Sequence, residues 1–279
     1  MNYRHAFHAG NFADVAKHLA LVAALLHLRK KEKPFFVLDS HGGSGRYDLA
    51  GDAARRTGEA EAGIEKLRAL RGRMDLPEVL RTYLDIVCAD AGHYPGSPLI
   101  AATLLRAQDR LVAIEKHPED AAALRAALRP FPNAKAEEAD GYRRIAALLP
   151  PKERRGLVLI DPPYEAADEF QTAADALTQA WRRFATGIYM LWFPIKSKAA
   201  ADAFCGEVLA AGINKALRID IEIAPAAGTD KERLTAAGLL VVNPPYGLDG
   251  QMRAAAGILA EHMGEGTGLS VDWLAGEGG

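Results

Sequence analysis

Residues 157–164, Leu-Val-Leu-Ile-Asp-Pro-Pro-Tyr, constrain the fold of this 279-residue chain more than any other stretch. Four consecutive apolar residues read as a strand buried on both faces, as in parallel sheets covered by helices. Pro162 and Pro163 carry no backbone N–H, so the strand has to stop at Asp161. An acid at a strand tip, stiffened by two prolines and followed by a ring, suits the holding of a flat amine. The Asp161 carboxylate and the Pro162 carbonyl can accept hydrogen bonds from an exocyclic N–H, and the Tyr164 ring can stack on a heterocycle. Taken alone, these eight residues also fit a strand-ending turn with a solvated acid.

Three earlier apolar runs end in the same way. Pro34-Phe-Phe-Val-Leu-Asp39 runs into Ser40-His-Gly-Gly-Ser-Gly45, a glycine loop that lets backbone approach a ligand closely. Arg110-Leu-Val-Ala-Ile-Glu115 places an acid where a doubly wound sheet binds ribose hydroxyls. Residues 134–141 read as a weaker strand with Asp140-Gly141 at its tip. A single strand-end acid is commonplace. Four in succession, Asp39, Glu115, Asp140 and Asp161, mark the ligand-binding edge of an open α/β sheet.

The fold class is therefore α/β. A helix is expected over residues 12–28, capped by Asn11, with Lys17 and His18 near its start. A second helix is expected to begin at Ser97 as N-cap with Pro98 in its first turn, and a third over Pro118–Leu128. Residues 48–93, rich in Ala, Arg and Glu, separate the glycine loop from the helix that should follow it. They read as a helical insertion subdomain, leaving 1–47 and 94–279 as the core. Its arginines and lysines, Arg71 and Arg73 among them, are expected to help hold a nucleic acid.

Residues 185–194, 215–224 and 237–246 supply further strands, and two glycine-rich stretches near the C-terminus read as loop and tail. The last of these strands ends in a rival motif, Asn243-Pro-Pro-Tyr246. In a half-sheet grown from the glycine loop, Asp161 ends the fourth strand, beside the first. Asn243 ends about the seventh and is expected nearer the far edge. The chemistry is assigned to Asp161, and Asn243 reads as a strand terminator.

Composition excludes several classes. The net charge is −2, so any nucleic acid must be met by a local basic face. Cys88 and Cys205 lie far apart, which argues against a disulfide scaffold or zinc site; no metal is expected and a reducing cytoplasm fits. No apolar run approaches the roughly 20 residues a membrane helix needs.

The motifs together are specific. Residues 3–11 (Tyr-Arg-His-Ala-Phe-His-Ala-Gly-Asn), 13–18, Asp39–Gly45, Tyr94-Pro-Gly-Ser-Pro98, Asp140-Gly141 and Asp161-Pro-Pro-Tyr164 resemble the bacterial ribosomal RNA large subunit methyltransferase J family across essentially the whole chain. The resemblance implies a class I methyltransferase fold, with a Rossmann-like seven-stranded sheet and a helical insertion. It implies N6-methylation of one adenine of 23S rRNA by S-adenosyl-L-methionine, leaving S-adenosyl-L-homocysteine. The RNA would be protein-free or an early assembly intermediate, and the enzyme a cytoplasmic monomer. By motif, His18, His41, Gly43, Ser97, Glu115, Asp140, Gly141 and Asp161 would contact the cofactor. Asp161, Pro162 and Tyr164 would form the catalytic group, and Tyr3, Arg4, His5 and Lys17 would meet the RNA. The same core could instead serve a DNA adenine or protein glutamine methyltransferase, or a nucleic-acid-binding module without turnover.

Overall fold

The structure is a computed structural model, and it describes residues 9–49, 51, 59–224, 234–264 and 266–276. The middle strand of its parallel half is Phe36–Asp39 (β1), buried at every position. The next strands of the main sheet are Arg110–Glu115 (β4), Ala134–Glu138 (β5), Gly156–Ile160 (β6), Ile188–Pro194 (β7), Ala216–Glu222 (β8), Ala236–Val242 (β9) and Gly268–Ala275 (β10). A separate pair, Arg46–Asp48 (β2) and His93–Pro95 (β3), lies antiparallel at the neck of the insertion. The main sheet has eight strands in the order β10-β8-β9-β7-β6-β1-β4-β5.

From β5 to β7 the strands run parallel. The chain steps from β1 to β4 and β5 on one side, then returns to β6 and β7 on the other. Strand order therefore reverses between β1 and β6, and the crevice above their carboxyl ends is where open α/β sheets take ligands. Asp39 and the residue after β6, Asp161, both stand there.

One expectation about the sheet needs correction. Residues 268–275, passed over between two glycine-rich stretches, form an eighth strand. Alternating Leu269, Val271 and Trp273 pack against the main core. Asn243 ends the seventh main-sheet strand, third from the β10 edge, but it is not at the cavity end. β9 lies between β7 and β8 and runs antiparallel to β7, so Asn243 emerges at the opposite end of the sheet from the strand-tip acids.

The helix Phe12–Arg29 packs under the sheet, and its N-terminus is doubly closed. Asn11 Oδ1 accepts the Asp14 N–H at 2.9 Å, and Asp14 Oδ2 accepts the Gly10 N–H at 2.9 Å. The insertion carries short helical turns over residues 60–70 and the helix Glu78–Val87. Ile64, Leu67, Leu80, Tyr83 and Leu84 of the insertion bury themselves in the same hydrophobic cluster as that first helix. Gly63 allows the contact: a Cβ there would stand 2.1 Å from the Gly10 carbonyl oxygen. Ser97 is not the N-cap of Ser97–Leu104. Gly96 takes that place, and the Ser97 hydroxyl turns into the site.

Candidate active site

Above the carboxyl ends of β1, β4, β5 and β6 lies a cavity of about 510 Å³. The loop after β1 supplies Ser40, His41 and Gly43. The loop after β4 adds Glu115, Lys116 and His117, and the tip after β5 adds Asp140, Gly141 and Tyr142. Asp161, Pro163, Glu165 and Glu169 close it from the far side. Six carboxylates face one lysine in this lining among the described residues. The arrangement favours a cationic ligand of small-molecule size.

Glu115 is held rigidly. Its Oε2 accepts the Gly43 N–H at 2.9 Å and its Oε1 the His117 N–H at 2.8 Å. Each oxygen keeps a further lone pair for a ligand hydroxyl. Gly43, at φ 58°, turns its amide toward Glu115 through a conformation glycine adopts at little cost. Asp140 caps the helix Gly141–Leu148 by accepting the Arg143 N–H at 3.2 Å. Burial raises its carboxyl, but that hydrogen bond and nearby Lys116 outweigh it and hold it below the usual range. Gly141 lets this tip pass over the glycine loop, for a Cβ would meet the Ser40 carbonyl oxygen at 2.0 Å.

His41 is set by its neighbours. The Ser40 hydroxyl donates to the Leu159 carbonyl at 3.0 Å and lies 2.8 Å from His41 Nδ1. With the single hydroxyl proton used on Leu159, Nδ1–H is the donor and Nε2 keeps its lone pair. Burial pushes the imidazole down to about 4, so the ring is neutral at pH 7. It packs edge-on against Tyr142 at 5.0 Å, and the Tyr142 hydroxyl donates to Glu169 at 2.8 Å.

Asp161 is anchored from below. Lys17 Nζ reaches its Oδ2 at 2.5 Å and Asp14 Oδ1 at 2.7 Å. Burial disfavours the Lys17 charge, but the two carboxylates more than offset this and hold the ammonium above its ordinary value. Lys17 is only 3% exposed. The expected RNA contact by this residue is therefore corrected: it is enclosed between two acids and presents no ammonium to a phosphate. Oδ1 of Asp161 accepts no hydrogen bond from any described residue.

The remaining sequence-derived residues are placed as follows. His18 and Ser97 are buried behind the cavity wall and do not line it. His18 Nδ1 is 2.7 Å from the Tyr94 hydroxyl, and Ser97 Oγ donates to Asp39 Oδ2 at 2.6 Å. Pro162 is buried under the loop, and Pro163 lines the cavity. Tyr164, at φ 54°, points its hydroxyl to the Trp192 carbonyl at 2.8 Å. Its ring packs against Phe170 at 4.5 Å and not along the cavity wall. Tyr3, Arg4 and His5 lie outside the described residues.

Sequence reasoning passed over Lys116, His117 and Tyr142, each one or two positions beyond a strand-tip motif it had recognised. It took Asp14 only as a first-turn acid of the helix capped by Asn11, not as a buried partner of Lys17. The signal there was an acid three residues before a lysine on an otherwise apolar helix, where both must be buried on one face.

The rival motif is structural. Asn243 Nδ2 donates to the Ala185 and Gly187 carbonyls at 2.8 and 2.7 Å, tying down the turn that leads into β7. The described cations of residues 59–93 are mostly engaged. Arg71 donates to the Cys88 carbonyl at 2.5 Å, Arg73 pairs with Asp75, and Arg68 pairs with Glu65.

The family model described as ribosomal RNA large subunit methyltransferase D, RlmJ, matches residues 32–275. Two curated relatives named ribosomal RNA large subunit methyltransferase J, from Escherichia coli K12 and Haemophilus influenzae, are each 40% identical over 284 and 285 residues. Those alignments span 99% of this chain and 100% of each relative. A Legionella pneumophila protein of known crystal structure superposes with a TM-score of 0.85 at 34% identity, covering 97% of this chain and 99% of that one.

Proposed function

The chain belongs to the ribosomal RNA large subunit methyltransferase J family, and we propose that it transfers a methyl group from S-adenosylmethionine to N6 of one adenine in 23S rRNA. The observation that carries the reading is Asp161: an acid at the tip of β6, held through one oxygen by Lys17, with the other oxygen available beside the cavity. The lone pair of adenine N6 is delocalised into the ring, which makes it a weak nucleophile. Asp161 Oδ1 and the Pro162 carbonyl would accept its two N–H groups and favour nitrogen that is turning tetrahedral. Lys17 fixes the carboxylate plane, and being already protonated it cannot serve as the base; as the N6–methyl bond forms and the sulfur–methyl bond breaks, the surplus N6 proton would pass to Asp161 or to water.

The cavity residues fit the cofactor. Glu115 retains acceptors for the two ribose hydroxyls, and Asp140 lies where it can take an adenine amine. His41, Gly43 and Gly141 shape the wall between them. His18 and Ser97, behind that wall, would act by supporting it. When bound, the cofactor supplies a methyl group made electrophilic by the sulfonium charge, so the transfer needs no metal. Holding nitrogen and methyl in line contributes much of the rate, since effective molarities reach about 10⁵ M or more.

The target base has to be unpaired or flipped out to reach Asp161. Tyr3, Arg4 and His5 would clamp that nucleotide. Tyr164 would support the Asp161 loop through Phe170 and Trp192. We further infer a cytoplasmic monomer that acts on protein-free 23S rRNA or an early assembly intermediate.

Radiolabelled methyl transfer to protein-free 23S rRNA, duplex DNA and a release factor tests the reading. Label should enter only the rRNA, as N6-methyladenine. Asp161→Ala should bind cofactor within a few-fold of wild type and lose nearly all turnover. Near wild-type methylation by Asp161→Ala would remove Asp161 from the chemistry.

A further inference from the structure

A polyanion needs cations to hold it, and among the described residues the cavity lining provides one, Lys116. Its lining is dominated by carboxylates, and the described arginines Arg68, Arg71 and Arg73 are spent on internal partners. A cluster of exposed cations stands at the other end of the sheet. Residues 29–35, 105–110, 129–133 and 149–155 are the segments that enter β1, β4, β5 and β6. They carry ten lysines and arginines against three acids, in a chain whose net charge is −2.

The acids there are largely neutralised. Asp109 is buried under Arg106 at 2.8 Å, and Glu153 is bound by Arg110 at 3.0 Å. Lys30, Lys31, Lys33, Arg129 and Arg154 are exposed, and none of them forms an ion pair with a described carboxylate. The cationic turn is also pinned. Arg106 donates to the Lys31 and Lys33 carbonyls at 2.9 and 3.2 Å, and Arg155 to the Lys33 and Leu28 carbonyls at 2.9 and 2.5 Å. Both guanidiniums lie within 6.0 Å of the Phe35 ring centroid. The backbone of 29–33 is thus fixed by two arginines that are themselves like-charged neighbours. Burial and the nearby Arg106 charge both push the Arg155 guanidinium below its ordinary value. Concentrating like charges on a pinned turn costs stability, and a polyanion would relieve that cost.

We propose that this pole of the molecule is a second RNA-docking surface, gripping the phosphate backbone of an rRNA segment other than the one that presents the target adenine. The five residues of β6, at about 3.3 Å each, put the pole roughly 17 Å below Asp161. One unpaired nucleotide in the cavity cannot reach it, so the contact requires a folded RNA that wraps the sheet edge. A groove of about 610 Å³ between the loops at Gln108 and Asn133, flanked by Lys135 and Lys152, continues the surface. The inference rests on rRNA being the substrate.

The test compares wild type with Lys30→Glu/Lys31→Glu/Lys33→Glu. These side chains are exposed and make no ion pair with a described residue, so folding should be intact, and thermal melting checks that it is. Binding of protein-free 23S rRNA is measured across a salt series. The variant should bind at least tenfold more weakly at 0.1 M salt, with a salt slope lower by about 2 to 3 for three lost phosphate contacts. Its cofactor affinity and its methylation rate at saturating rRNA should match wild type. The Lys→Arg triple variant, which keeps the charge, should bind as wild type does. Unchanged affinity and slope in the Glu variant would overturn the proposal. So would loss of binding to phosphatidylglycerol vesicles with RNA binding intact, which would assign the face to a lipid surface. Absence of rRNA methylation by the wild type would instead refute the substrate reading, a separate result.

Discussion

Asp39 carries no assigned chemistry, yet both its oxygens are engaged, one by the His41 N–H at 3.3 Å and one by Ser97 Oγ at 2.6 Å. Burial pushes its carboxyl up to about 6, with the Ser97 hydrogen bond opposing and the Asp161 charge adding. Burial pushes neighbouring His41 the other way, to about 4. The stability effects oppose each other. A carboxyl with a raised folded pKa keeps its proton longer in the folded state, so stability falls as pH rises from 3.8 to about 6. An imidazole with a lowered folded pKa is protonated first in the unfolded state, so stability falls as pH drops from 6.5 to about 4. In the wild type the two nearly cancel across that window. Asp39→Asn removes only the first, so its melting temperature should fall more steeply than that of wild type as pH is lowered from 6.5 to 4. Parallel melting curves for the two proteins over that range would show that Asp39 is already ionised in the folded state.

At the scale of elements, the strand β9 and its terminal Asn243 decide between two similar motifs. Antiparallel placement sends Asn243 to the end of the sheet away from the cavity, and a φ of 52° there suits an asparagine cap. Asn243→Ala deletes two hydrogen bonds to the turn before β7 and should cost roughly 1–3 kcal/mol in denaturant unfolding. The methylation rate of the folded fraction should be unchanged. Loss of activity at wild-type stability would return the chemistry to this motif. The place of Asp161 beside β1 was legible in the sequence because parallel strands follow one another in order. The direction of β9 was not legible. An apolar run reads the same forwards and backwards, and only pairing with β7 fixes its sense. Strand tips were legible for the same reason as helix caps, since Asp, Gly and Pro interrupt ladders locally. Lys17 was misjudged because burial of a lysine depends on acids brought from elsewhere, here Asp161 from 144 positions along the chain. Strand β10 was missed because flanking glycines drew attention from the alternation between them.

Among the described residues, acids dominate the cavity lining and exposed cations crowd the segments that enter β1, β4, β5 and β6. The insertion lies between these poles in function. Its arginines suggest an RNA grip by count, but Arg71 would have to leave the Cys88 carbonyl, and Arg73 would have to leave Asp75, to reach a phosphate. Each such contact exchanges one acceptor for another and gains little. Arg71→Gln/Arg73→Gln should therefore leave the affinity for 23S rRNA within about twofold of wild type, with the salt slope unchanged. Its melting temperature should drop modestly, because the Cys88 carbonyl at the end of the helix Glu78–Val87 loses its donor. A tenfold loss of affinity with a flatter salt slope would mean that these side chains release their partners when RNA arrives, and that the insertion holds RNA directly.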